Sequence, residues 1–484
     1  VDALSGSTAS GVSLEMPPAE LASPSVNRNP PSSDQREHPS EKWRPTAALP
    51  VQIALSGTAQ SGPIEAQAAR LHVTLDARQQ PTLATANGEV RLRQTVTSTG
   101  GSGSRSTRTS RSDALVLHFA EPSPQSAQGV EPRAGAAQLA RAVETGHVEL
   151  RQADRLLQAD AADYDVATSR VVLTAQPQSA YTHGVVHGAD ANTTFTAPRV
   201  VWTQSPSGAS QLLASGGISL SHTATAEKAT SGEVAPPVVI TAQSLQWNQP
   251  PPSTPTGHPA SHPSSSPSSI DSAPPTPQLA AVDGFVPALT GTGVFTGGVR
   301  LVQAPNLLRA DTVNLDGAQR ALIATGHVET VFLPATQPNQ LATPATAVAL
   351  SPHTPVTITA ATLRYQQLAG RADYQGQVQL HADGAELTAP QLEVGLSPQA
   401  QLTNARARGG VRITQPGRTL IAQQANFDFA TRGGQLTGGP PSILDAEQGR
   451  ISGDPLTFSL SSDEIQVGSK SGARASGQTT IRPR

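Results

Sequence analysis

Apolar residues fall two apart in short runs along most of this chain, and each run is closed by Gly, Pro, Asp or Asn. Val51-Gln-Ile-Ala-Leu55, Leu71-His-Val-Thr-Leu75, Gly88-Glu-Val-Arg-Leu92 and Leu115-Val-Leu-His-Phe119 set the pattern early. The densest cluster lies within 408–470, where Gly409-Gly-Val-Arg-Ile413, Leu420-Ile-Ala-Gln-Gln-Ala-Asn-Phe427, Gln435-Leu-Thr-Gly438, Ile451-Ser-Gly-Asp-Pro-Leu-Thr-Phe458 and Glu464-Ile-Gln-Val467 follow one another. Alternation of period two between turn residues predicts strands, and strands in succession predict an all-β fold. No stretch holds the period of an amphipathic helix.

One element repeats. Thr145-Gly-His-Val-Glu149 recurs letter for letter as Thr325-Gly-His-Val-Glu329, with looser versions at Gly216-Gly-Ile-Ser-Leu220, Gly297-Gly-Val-Arg-Leu301, Gly376-Gln-Val-Gln-Leu380 and Gly409-Gly-Val-Arg-Ile413. A return after roughly 30 residues marks a stacked array whose members cannot bury an apolar face alone. The glycine supplies positive φ or a close backbone approach at a bend. Val and the apolar residue two later share one face, which turns His147 and His327 outward.

Composition sharpens this to a thin, elongated β structure with disordered segments. Apolar residues make up 36% of the 484, with 41 Gly and 42 Pro. Residues 1–50 read as a disordered tail, 51–248 as a first β region, 249–283 as a Pro/Ser-rich linker, 284–470 as a second β region and 471–484 as a polar tail. A smaller Pro/Thr/Ala interruption spans 334–355. A net charge of −3 gives no global pull toward nucleic acid, and the absence of cysteine excludes disulfides, thiolate metal sites and a Cys nucleophile. No apolar run approaches the roughly 18 residues of a spanning helix. With Val1 first and Met16 the one methionine, the chain reads as a product whose targeting or anchoring segment has been removed.

The order of elements near the C-terminus resembles the OstA-like family of lipopolysaccharide-transport proteins, and its LptA-like members most. The residues that carry the likeness are Gly410-Val-Arg-Ile-Thr-Gln415, Ile421-Ala-Gln-Gln-Ala-Asn-Phe427, Gly434-Gln-Leu-Thr-Gly438 and Ile451-Ser-Gly-Asp-Pro-Leu-Thr-Phe458. The match is good over 355–470, partial over 284–333 and 140–248, and weak before. The resemblance implies a twisted β jelly-roll or half-pipe, solenoid-like in its stacking, with a hydrophobic groove for lipid A acyl chains. It implies a periplasmic location, lipopolysaccharide as cargo, and edge-to-edge pairing with other modules: LptC-like proteins, the LptD N-terminal domain, or further copies of itself. No catalysis, cofactor, metal or nucleic acid is implied. Length, two β regions and Ser/Pro linkers depart from the family pattern and suggest a fusion with an LptC-like or second LptA-like module.

Within that frame the groove candidates are Val299, Leu301, Leu363, Tyr365, Val378, Leu380, Val411, Ile413, Phe427, Phe429, Leu456, Phe458, Ile465 and Val467. Burying a methylene is worth about 0.8 kcal/mol, so a multi-acyl lipid is held without specific hydrogen bonds. The same residues would equally fill a closed core. Residues 387–394 and 465–467 are candidate edge strands for docking.

Sharper chemistry fares less well. Asp163 and Asp165 share one face of a strand, as a hydrolase pair in a parallel β-helix would, but two solvated carboxylates are the ordinary outcome. His183 and His187 on a strand lie about 13 Å apart, too far for one zinc. Arg105, Arg108 and Arg111 lie in a Gly/Ser stretch, 98–112, that reads as a solvated loop without the aromatics of a nucleic-acid platform. Gly291-Thr-Gly-Val-Phe-Thr-Gly297 lacks dinucleotide spacing. The rival to a lipid carrier is a surface-exposed β-solenoid, either an adhesin or a polysaccharide-acting β-helix.

Overall fold

The structure, a computed structural model, describes residues 12–13, 51–55, 61–97, 105–120, 138–205, 209–223, 237–250, 291–333, 355–382, 384–397, 401–446, 449–459, 465–468 and 476–478. Most of the expected tails and of the 249–283 linker lie outside the described residues. Among those described, the regular structure is all β, and neighbouring strands within each unit pair antiparallel. The parallel β-helix rival is thereby set aside, since its rungs would pair parallel.

Two compact units divide the described chain. The first takes the residues up to Asp154 together with 158–171, and the second takes 155–157 and the residues from 172 onward. The division does not follow the expected linker. Val238–Gln249 and Thr292–Gln303 pair along their length, with Ile240 opposite Leu301 and Leu245 opposite Phe295. The Pro/Ser-rich stretch is therefore an insertion between two neighbours of one sheet. The 334–355 interruption behaves alike, because Ala321–Phe332 pairs with Val356–Gln366.

The repeated glycine element bends the sheet. In alternate strands two consecutive residues have positive φ: Gly146/His147, Gly297/Gly298, Gly326/His327, Gly376/Gln377 and Gly409/Gly410. The strands between them answer with a register shift of their own, at Asp113, Gln243, Asp311, Ala361 and Pro390. Each of these side chains lies over the first glycine of the neighbouring pair, where a Cβ would collide with it or press on it. In each unit the shifts line up from strand to strand, so every long strand is divided at the same place into two halves.

The two positions of the bend differ. At Gly297 (φ +84°) an added Cβ would stand 2.6 Å from the Gln243 Cβ, whereas at Gly298 (φ +67°) it would meet nothing within 4 Å. The second position holds Glu89, His147, His327 and Gln377 elsewhere, at φ between +45° and +48°. Gly297→Ala is expected to cost about 1 kcal/mol or more, and Gly298→Asn close to nothing. Thermal unfolding of the two variants checks this; equal losses would mean that the neighbour's side chain does not set the bend.

Both exact copies of Thr-Gly-His-Val-Glu use the room above their glycine in one way. His147 Nδ1 lies 2.6 Å from Asp113 Oδ2, and His327 Nδ1 lies 2.8 Å from Asp311 Oδ2. Both histidines are exposed, as the sequence predicts.

Candidate functional site

The inner face of the second unit carries several apolar rows that run across the strands, and two of them, one on each side of the bends, extend across nearly every strand. Register fixes the first as Ala214, Leu245, Phe295, Val313, Ala324, Leu363, Tyr374, Leu392, Ala407, Ala425, Leu436 and Leu456, each directly opposite the next. The second runs Leu220, Ile240, Leu301, Leu308, Thr330, Ile358, Leu380, Leu387, Ile413, Leu420 and Ile443. All but Leu301 are buried. At roughly 4.8 Å per strand, each row is on the order of 50 Å long.

The rows face one another across the bend. Tyr374 of the first turns its phenol toward Thr330 of the second, and burial pushes that phenol well above its ordinary range. In the inward row next to the first, aromatic rings fill the places where a glycine has no side chain. Trp247 lies over Gly293 and Phe458 over Gly434, both directly cross-strand. Phe458 also meets Phe427 edge-on, with ring centroids 6.2 Å apart. The buried polar side chains of this unit are Thr182, Thr193, Thr330 and Ser442, so no ionisable carboxylate or amine is buried in it among the described residues.

Most residues expected to line a groove stand on this face. Val299, Leu363, Val378, Leu380, Val411, Ile413, Phe427, Leu456 and Phe458 are buried. Leu301, Tyr365 and Ile465 are half-buried, and Phe429 sits half-buried in the turn just past its strand. Val467 departs from expectation: at the end of the first row, opposite Leu456, it is 39% exposed. The segment 387–394 also departs. Its strand Ala385–Leu396 is paired on both sides, with Arg371–Ala382 and Leu402–Gln415, and presents no free edge.

The first unit is built alike but not filled alike. Ile64, Ala66, Val90, Leu92, Leu115 and Leu117 form its apolar cluster. Beside them lies a polar interior that the sequence reading missed. Arg105–Ala120 is one strand, where a loop was expected as far as Ser112, and Arg108 points inward. Its Nε donates to Gln152 Oε1 at 2.8 Å, in a cross-strand row Gln94–Arg108–Gln152. Glu144, 8% exposed, accepts a hydrogen bond from the Ser110 hydroxyl, and burial holds its carboxyl above the usual range. Plain alternation from Leu115 and Leu117 places Arg108, Ser110 and Ser112 outside. The single-residue shift at Asp113 reverses that.

The other candidates have ordinary settings. Asp163 accepts both forks of Arg141, at 2.7 and 2.6 Å, and Asp165 Oδ1 caps the turn at the Thr168 amide. His183 is exposed in a turn, while His187 on the following strand has its Nε2 3.2 Å from the Thr182 carbonyl. The Gly291 stretch enters the strand Thr292–Gln303.

No protein-family model matches the sequence. No curated protein matches it either. Among solved structures, one similar chain is LptH from Pseudomonas aeruginosa, described as the LptA-homologous periplasmic component of the conserved lipopolysaccharide transport device. It is 12% identical with a TM-score of 0.23, over 27% of this chain and 96% of that one.

Proposed function

We propose that the second unit is a carrier for the acyl chains of a lipopolysaccharide, working in the periplasm as part of a bridge of β modules. The observation that supports this most is the pair of long rows, apolar but for Thr330. A stacked β core needs buried contacts between neighbours, but here both rows run on across strand after strand with no buried charge among the described residues. Acyl chains laid along the rows would replace side-chain contacts with methylene contacts at every strand, and no step of catalysis is asked of the chain. The element order at 410–458 supports the same reading.

The halves on either side of the bends would part to admit the chains. The bend is the natural place for this, because its register shifts leave it with fewer ladder bonds than the strand halves. Docking to a neighbouring module would use the sheet's terminal strands, of which Ile465–Val467, paired with Leu456–Ser459, is one candidate.

The test is photocrosslinking to lipopolysaccharide. A photoreactive phenylalanine analogue at Phe427 or Phe458 should capture the lipid, whereas the same group at Arg412, which points outward, should not. Equal yields at all three positions would remove the interior from any part in carriage. Lipopolysaccharide that copurifies with the full chain, and is lost when Phe427 becomes Asp, would support it.

A further inference from the structure

We propose that the outer face of the first unit holds a binding site for a phosphorylated sugar, either free or as the headgroup of a lipid. A cavity of about 350 Å³ opens on this face. Register places Arg91 directly opposite Arg111, and Glu149 next beyond Arg111. In the adjoining row Arg93 stands between Glu65 and Thr109. All six side chains line the cavity.

Two guanidinium groups directly opposite one another across a strand pair are destabilising in the absence of a counter-ion. The nearby carboxylates relieve the repulsion for Arg91 alone. Arg91 is answered by Glu89 at 3.2 Å, and Glu149 is taken by Arg151 at 2.5 Å. The side chains of Arg93 and Arg111, both exposed, are left with neither hydrogen bond nor ion pair among the described residues. They are diagonal neighbours, roughly 7–8 Å apart at their roots, a span that two long side chains close on a single phosphate. The guanidinium fork matches a pair of phosphate oxygens, which a lysine in the same place would not.

The rest of the lining argues for a sugar on that phosphate. Glu65, Glu149 and the Thr109 hydroxyl offer acceptors around the cations, suited to the hydroxyls of a pyranose. The same carboxylates repel a continuous polyanion, and among the described residues no aromatic ring lines the cavity to stack a base, which disfavours nucleic acid. The site lies on the opposite side of its strands from the apolar interior, and in the other unit from the proposed acyl rows. Its success or failure is therefore separate from theirs.

The test uses the full chain, titrated calorimetrically with glucose 1-phosphate, inorganic phosphate and glucose. In parallel the chain is sedimented with phosphatidylcholine vesicles that carry or lack a phosphorylated glycolipid. Glucose 1-phosphate should bind at least about tenfold more tightly than inorganic phosphate or glucose, and the double variant Arg93→Gln/Arg111→Gln should lose about tenfold or more. Without ligand that variant should unfold at the same or a higher temperature than the parent, since it removes a repulsion. Sedimentation with glycolipid vesicles, lost in the double variant and without a response to the soluble sugar phosphate, would assign the site to a lipid headgroup. Binding that survives in the double variant, or no binding to either form, overturns the site; equal affinity for inorganic phosphate overturns the sugar.

Discussion

Replacing Trp247 by alanine should lower the stability of the second unit by about 3–5 kcal/mol, the range for removal of a large core aromatic. Trp247 is 3% exposed and its ring occupies the space that Gly293 leaves empty on the neighbouring strand. Without the ring, two adjacent inward positions are vacant at once, and flat strands cannot collapse to close the gap. Trp247→Phe is the control. The indole Nε1 has no acceptor among the described residues, so losing it while a ring is kept over the glycine should cost less than about 1.5 kcal/mol. Urea unfolding followed by circular dichroism separates the two. Gly293→Ala adds a second reading, because its methyl collides with the indole and should be tolerated better once the indole is gone. If the two changes are additive, the ring and the glycine are not the coupled pair described here.

The second large effect concerns Glu144 and depends on pH. Burial raises the folded-state pKa of this carboxyl above its unfolded value, against a smaller opposing effect from the Ser110 and Ser112 hydroxyls. The folded chain therefore holds the proton more tightly than the unfolded chain. Its contribution to stability is fully present below the unfolded carboxylate pKa of about 4.3 and is lost as pH rises through the folded value. Glu144→Gln keeps a hydrogen-bonding side chain with no charge to bury. It should stabilise the first unit by about 2 kcal/mol at pH 8 and change little at pH 4. Hydrogen exchange at the amides of Leu115, Val148 and Leu150 reports on this unit alone. A gain of the same size at both pH values would show that packing, not ionisation, is responsible.

Both effects stand on positions that the linear pattern described unevenly. The strands around Val299, Val378 and Val411 were legible because Gly-Gly or Gly-x inserts two residues at the bend. Alternation survives an even insertion, so Phe295 and Val299, or Ala407 and Val411, fall on the same face. The intervening strands insert one residue. There the inward set changes parity, from Ile240 and Ala242 to Leu245 and Trp247, and from Leu420 and Ala422 to Ala425 and Phe427. The inward turn of Arg108 follows from the same slip, while Arg111, three residues on and still before the slip, stays outside with Arg91 and Arg93 by plain alternation.

By itself, then, the sequence determined that the described chain is all β and that a glycine bend recurs. Those are local matters of period, turn chemistry and the sign of φ. Which strands are neighbours across the Pro/Ser insertions, and which face a polar run presents after a one-residue slip, depended on partners remote in sequence. Only pairing decides them, because the backbone ladder sets the register, and a shift of one residue carries every following side chain to the other side of the sheet.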